Sequence, residues 1–125
     1  MKNLYINKVW LSGIVKTHPQ IRQLSENTKL TCFSLSTLET WESKCGETKS
    51  HRNDILIEIL GKEADSAYSN LSPGKWVSVD GYLRTEQFKG KQQTKVRVYN
   101  ITYEGTNDGY DDEETPGKVR FTRRD

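Results

Sequence analysis

The sequence predicts a mainly β domain of five strands, with one short helix between the third and the fourth. Three observations predict it. β-Branched and aromatic residues gather in five runs, at residues 4–16, 30–38, 54–60, 75–84 and 95–103. The clearest of these runs alternates apolar and polar residues, the period of a half-buried strand. One segment, residues 62–71, exchanges that composition for Ala and Glu and reads as a helix. The length of 125 residues allows one ordinary domain and little more.

Residues 4–16, LYINKVWLSGIVK, predict a long first strand with a bend or bulge at Gly13. His18-Pro19 breaks it, and Ser25-Glu26-Asn27-Thr28 is turn chemistry. Residues 30–38 form the second strand, with Phe33 and Leu35 on one face. Residues 39–53 lack apolar periodicity and predict an exposed hairpin loop carrying Trp41. The third strand, residues 54–60, sets Ile55, Ile57 and Ile59 on one face and Leu56, Glu58 and Leu60 on the other. The helix ends at Ser72-Pro73-Gly74. In the fourth strand Val77, Val79 and Leu83 oppose Trp76, Ser78, Asp80 and Tyr82. Residues 85–94 are a polar hairpin around Gly90, and residues 95–103 return as the fifth strand.

Five antiparallel strands with a helix between the third and fourth are the OB-fold arrangement. Closing them into a small barrel hides the strand edges and needs only a compact core. The expected organisation is a domain over residues 1–105 and a loosely attached or disordered tail over 106–125. Charge divides at the same place: the body carries 15 basic and 11 acidic residues, the tail 4 and 6.

Several function classes are excluded on this reading. Mean hydropathy is −0.83, and no apolar run nears the roughly 18 residues of a membrane span. No leader-like segment follows Met1, which predicts a cytoplasmic protein. Cys32 and Cys45 neither build a disulfide scaffold nor supply a four-ligand zinc site. His18 and His51 fall in predicted loops, and no nucleotide-loop, zinc-protease or nucleophile-elbow string occurs, so no enzyme is expected. Asp111, Asp112, Glu113 and Glu114 read as solvated carboxylates rather than as a metal site. No cofactor is expected.

Basic residues interleave with aromatics on both hairpins. Arg84, Lys89, Lys91, Lys95 and Arg97 stand against the single acid Glu86, with Phe88 among them. Trp41 is flanked by Lys44, Lys49 and Arg52. Cations that neutralise phosphates beside flat rings that stack on unpaired bases are what single-stranded nucleic acid requires. Composition alone equally allows charged hairpins whose rings fold back on the barrel. Trp10 and Trp76, on strands among polar neighbours, admit three readings: subunit contact, which is favoured, barrel seam, or stacking platform.

A set of short strings then carries a resemblance. They are Asn7-Lys8-Val9 before Leu11 and Gly13, Pro19-Gln20-Ile21-Arg22, Phe33-Ser34-Leu35-Ser36-Thr37, Trp41, Gly61-Lys62-Glu63-Ala64, Pro73-Gly74, and Val79-Asp80-Gly81-Tyr82-Leu83-Arg84-Thr85. In order and spacing, over about residues 6–103, they resemble the bacterial single-stranded DNA-binding protein family. The resemblance implies an OB-fold that coats single-stranded DNA in replication, recombination and repair as a homo-oligomer, dimer or tetramer. It implies that Trp41 and Phe88 stack on bases. Arg22, Lys44, Lys49, Lys62 and Arg84 fall on basic positions along the DNA path, and Lys89, Lys91 and Lys95 join them as candidate phosphate contacts. Lys8 and Asp80 fall where the family pairs charges across a subunit contact. Two stacking positions are altered, to Asp54 and Leu60, and neighbouring positions hold Ile55 and Leu56. The tail lacks the family's acidic Pro-Phe tip. A primosome-type accessory OB protein, acting mainly through replication proteins, is therefore a competing reading. An oligomeric interaction module without nucleic acid is another.

Overall fold

The apolar face that alternation assigns to each strand becomes the inside of a closed sheet. The computed structural model describes residues 3–106. They form β1 (Val9–Val15), β2 (Gln20–Ser25), β3 (Thr28–Glu42), β4 (Thr48–Leu60), α1 (Glu63–Asn70), β5 (Lys75–Phe88) and β6 (Lys91–Thr106). The sheet order is β1-β5-β6-β4-β3-β2, and a further β1–β3 pairing closes it. Val15, Phe33, Leu35, Ile57, Ile59, Val77, Val79 and Val96 fill the inside. Ala64 and Ala67, one helical turn apart, bring α1 close against this core. Buried Thr31 donates its hydroxyl to the Ala64 carbonyl at 2.7 Å, tying helix to β3.

The all-β class, the OB-fold and the single short helix stand as expected, with three corrections. The described residues hold six strands, because residues 20–25 pair with β3. The helix lies between the third and fourth of the five expected strands but follows β4 once that strand is counted. The pairing is not wholly antiparallel: β4 and β6 run parallel where Ile57 meets Val96 and Glu58 meets Arg97. β2 escaped the pattern because only Ile21 in it is even half-buried, so no apolar face marks it.

Boundaries shift for related reasons. Residues 39–53 are ladder rather than loop as far as the turn at residues 43–47, with Trp41 opposite Lys49 and Glu42 opposite Thr48. Residues 85–94 likewise remain paired until a two-residue turn, Lys89-Gly90, where both residues have positive φ. That is the hairpin turn whose twist matches the strands. Both arms reach past the core, so hydrogen bonding continues where apolar alternation stops. Conversely, Leu4, Tyr5 and Ile6 have strand composition but no ladder, and are 79–89% exposed. Asn7 beside them mimics a strand: its side-chain amide donates to the Leu83 carbonyl at 2.7 Å and accepts from the Leu83 N–H at 2.8 Å. The expected tail lies outside the described residues from 107 onward, as do its acidic run and its basic end.

Barrel closure rests on Gly13. β1 pairs with β5 over residues 9–14 and with β3 at Ile14 and Val15. At the crossing a β-carbon on residue 13 would overlap the Ser36 carbonyl oxygen. The obstacle is backbone on a central strand, so it cannot step aside. Gly13→Ala is expected to destabilise the fold by about 2 kcal/mol or more, a fall of roughly 10 °C in Tm for a domain this size. Ser12→Ala, on an exposed neighbour, is the control; equal melting of the two variants would place the closure elsewhere.

Candidate nucleic-acid interface

On β4 and β6 the positions that alternate with the core residues Ile57, Ile59 and Val96 form an outer face, and charged residues collect there. Glu58 interrupts the apolar run of β4 on this outer face, yet its side chain is 2% exposed. Burial of a carboxylate demands cations, and two residues of one strand supply them. Lys95 donates to Glu58 Oε2 at 2.7 Å, and Arg97 donates to Oε1 through Nε at 3.1 Å and Nη2 at 2.9 Å. Lys95 Nζ also lies 2.6 Å from Glu86 Oε1, and Arg84 Nε donates to Glu86 Oε2 at 2.9 Å. A chain of five charges, Arg84–Glu86–Lys95–Glu58–Arg97, thus runs across β5, β6 and β4. Burial pulls the Lys95 ammonium toward its neutral form, but its bonds to Glu58 and Glu86 outweigh burial and raise its pKa.

Past this network, the β5–β6 arm presents Phe88 with its ring 57% exposed. Lys89 Nζ stands 5.4 Å from the ring centroid, and Lys91 faces Phe88 across the ladder. Phe88, Lys89, Lys91, Gln92 and Gln93 border a groove of about 390 Å³. On the β3–β4 arm Trp41 is half-buried beside exposed Lys49, and Lys44 sits exposed in the turn. Arg22, on β2, and Lys62, at the start of α1, are exposed on the barrel itself.

The structure therefore brings the ring Phe88 together with Lys89 and Lys91, and Trp41 with Lys49. It places Arg22, Lys44 and Lys62 singly. Lys95 differs from the expectation of a cation open to phosphate: its side chain is 9% exposed and bonded to two carboxylates. Arg84 is exposed but paired with Glu86. Sequence reasoning passed over Glu58, Glu86 and Arg97 as a set. Their signal was present: a lone acid on an apolar strand, and basic residues two apart on another. Of the altered stacking positions, Asp54 binds Lys16 at 2.5 Å, a bond that holds its carboxyl below the ordinary range. Leu60 is 39% exposed.

The candidate subunit residues lie on β1 and β5 or just before β1. Trp10 is 78% exposed, in register with Asp80, and Trp76 is half-buried opposite Ile14. Lys8 and Asp80 meet within one chain at 2.6 Å. Over residues 9–13 the edge of β1 away from β5 pairs with no described strand. Cys32 is half-buried, and burial followed by the nearby Glu58 charge raises its thiol pKa. Cys45 is exposed in the β3–β4 turn. No cluster of three metal-ligating side chains occurs among the described residues, and none of their helices is long and apolar enough to cross a membrane.

The profile of the Single-strand binding protein family matches residues 6–107. A single-stranded DNA-binding protein of Neisseria meningitidis serogroup A is 27% identical over 96 residues, 77% of this chain and 55% of that protein. The chain thus spans about half the length of the curated relatives it matches. Among solved structures, the Plasmodium falciparum single-stranded DNA-binding protein in complex with single-stranded DNA superposes with a TM-score of 0.75. It is 27% identical, and the alignment covers 83% of this chain and 99% of that one. The small single-stranded DNA-binding protein of Streptomyces coelicolor shares the fold, with a TM-score of 0.60 at 22% identity over 81% of this chain and 96% of that one.

The ion chain has a signature in acid. Hydrogen bonds with Lys95, then Arg84, lower the Glu86 carboxyl from 4.5 to about 2. A carboxyl whose pKa falls on folding stabilises the fold above its unfolded value, and that contribution is lost as pH drops through the folded value. Glu86 therefore contributes fully above pH 4.5 and ceases to contribute near pH 2. Across that window Glu86→Gln is expected to show a shallower fall of Tm with pH than the unsubstituted chain. Parallel curves would mean that Glu86 is not paired in solution.

Proposed function

The chain belongs to the Single-strand binding protein family, and on that premise we propose that it binds single-stranded DNA with little sequence preference. The observation that carries the proposal is Phe88. A large apolar ring held out of the core at the end of β5, with Lys89 beside it and Lys91 opposite it, has no packing purpose there. It can stack on any base, since every base has a π-face, while the flanking ammonium groups neutralise the adjoining phosphates. Trp41 offers a second ring beside Lys49. Arg22 and Lys62 on the barrel and Lys44 in the β3–β4 turn add single exposed cations, and Arg84 and Lys95 contribute only where their carboxylate partners give way. No bond is made or broken in this work, so the protein acts as a binding module and not as an enzyme. Such binding suits protection of exposed strands in replication, recombination or repair, and a cytoplasmic location is part of the same proposal.

Assembly is the second part of the proposal. The exposed Trp10, the edge of β1 that pairs with no described strand over residues 9–13, and the exposed apolar Leu4, Tyr5 and Ile6 just before β1 suit contact with a second copy of this chain. Trp76, Lys8 and Asp80 border β1. The same exposed apolar residues are the observation that favours the rival reading, in which contacts with replication or primosome proteins dominate.

Titration of a labelled oligothymidylate with the full chain at several salt concentrations tests the reading. Three to five phosphate contacts predict a log–log slope of about −2 to −3.5. Phe88→Ala is expected to weaken binding about 10-fold, within the range for loss of one stacked base, and to leave Tm unchanged. Trp41→Ala, half-buried, is expected to weaken binding comparably and to lower Tm as well. A slope of zero, or normal binding by Phe88→Ala, would remove the proposal's physical basis.

A further inference from the structure

Glu86 stands where a cation-lined surface should have none of its charge. Its two oxygens are divided between two cations, Oε1 at 2.6 Å from Lys95 Nζ and Oε2 at 2.9 Å from Arg84 Nε. The two non-bridging oxygens of a phosphodiester can take the same two positions. The layering fits such an exchange. Glu86 is 37% exposed and lies over Lys95, which is 9% exposed, so the carboxylate is the outer of the two groups. Lys95 also keeps a second partner, Glu58 at 2.7 Å, when Glu86 turns out to solvent. Phe88 stands two residues farther along the same face of β5, about 7 Å along the strand. A strand stacked there carries its backbone toward Arg84 and Lys95.

Resting on the single-strand-binding reading, we propose that Glu86 is a resident competitor for the bound strand. Its carboxylate fills an anion subsite between Arg84 and Lys95 that a backbone phosphate takes over on binding. Arg84 and Lys95 are thereby kept from nonspecific anions until a strand is already anchored on Phe88. Glu86 sets the affinity without touching the ligand in the final complex. The exchange also predicts a salt effect. A phosphate entering the subsite releases a counterion from the strand, but the displaced carboxylate recaptures one, so the subsite adds little to the salt slope of the natural chain.

The test compares Glu86→Gln with Glu26→Gln, an equal change of charge on the exposed β2–β3 turn, in oligothymidylate titrations with thermal melts alongside. Glu86→Gln is expected to bind about 3- to 10-fold tighter at low salt, since Glu86 is more than a third exposed and its pairs with Arg84 and Lys95 are partly screened. Its slope is expected to steepen by about 0.7, one phosphate contact. Glu26→Gln should change affinity less than about 2-fold, as a distant screened charge does. Adding Arg84→Gln to Glu86→Gln should remove at least half of the gain. Equal effects of Glu86→Gln and Glu26→Gln, or weaker binding by folded Glu86→Gln, would overturn the inference while leaving the proposed function intact. Failure of the natural chain itself to bind would overturn both.

Discussion

The closed sheet depends on two places where one backbone lies directly against another. At Gly13 the first strand leaves β5 for β3, and at Gly81 a register shift turns β5 against β6. A β-carbon at either position would overlap a carbonyl oxygen, of Ser36 in the first case and Arg97 in the second. Larger residues would push the strands apart, and a sheet opened there would expose the edges that closure hides. Everything functional is mounted on this closure. β3 and β4 continue past it as one arm and β5 and β6 as the other, each holding its register because the barrel has already set it.

Closure also explains why an ion chain crosses the outer face. Where β4 and β6 run parallel, Glu58 lies beside Arg97, with Lys95 two residues away on the same face. A buried carboxylate without partners would be strongly unfavourable, and removing either cation would leave one of the two Glu58 oxygens without its partner. Glu58 and Arg97 therefore work as structure. Glu86, farther out and more exposed, belongs to the same chain but not to the same regime, since solvent screens it. The gradient from buried Glu58 to exposed Glu86 separates the part of the network that holds strands together from the part free to exchange partners.

Much of this was legible in the residues. The core strands announce themselves because Ile55, Ile57 and Ile59, or Val77 and Val79, must repeat every second position to face one interior. The helix was visible because it needs small residues, Ala64 and Ala67, against that interior. What could not be read was whatever lies beyond the core. β2 and the two arms bury too little for composition to record them; their ladders are set by register inherited from strands that do bury apolar faces. Leu4, Tyr5 and Ile6 show the reverse, strand composition without a strand to join. At the candidate site, the exposed ring Phe88 and its flanking lysines were readable from local sequence. The pairing of Lys95 with Glu58 and Glu86 was not, because it joins residues 37 positions apart in one case. Basic composition counts charges but does not say which of them are already satisfied.

That distinction decides what kind of binding surface the chain offers. Where the family resemblance places aromatic rings, this chain has Asp54, tied to Lys16, and Leu60, an aliphatic side chain without a π-face. The two rings proposed to stack, Phe88 and Trp41, thus stand each on its own arm rather than on the barrel wall. Arms that bury little apolar surface are held mainly by backbone ladders and cross-strand pairs, interactions worth tenths to about 1 kcal/mol each. A ring on such an arm is positioned by the turn and the strand twist rather than by packing. The Lys89-Gly90 turn serves this purpose directly, since its paired positive φ values fix how Phe88 and Lys91 face each other across the final rung. The same turn keeps Lys89 over the ring, so an apolar face and an ammonium group share one corner of the chain.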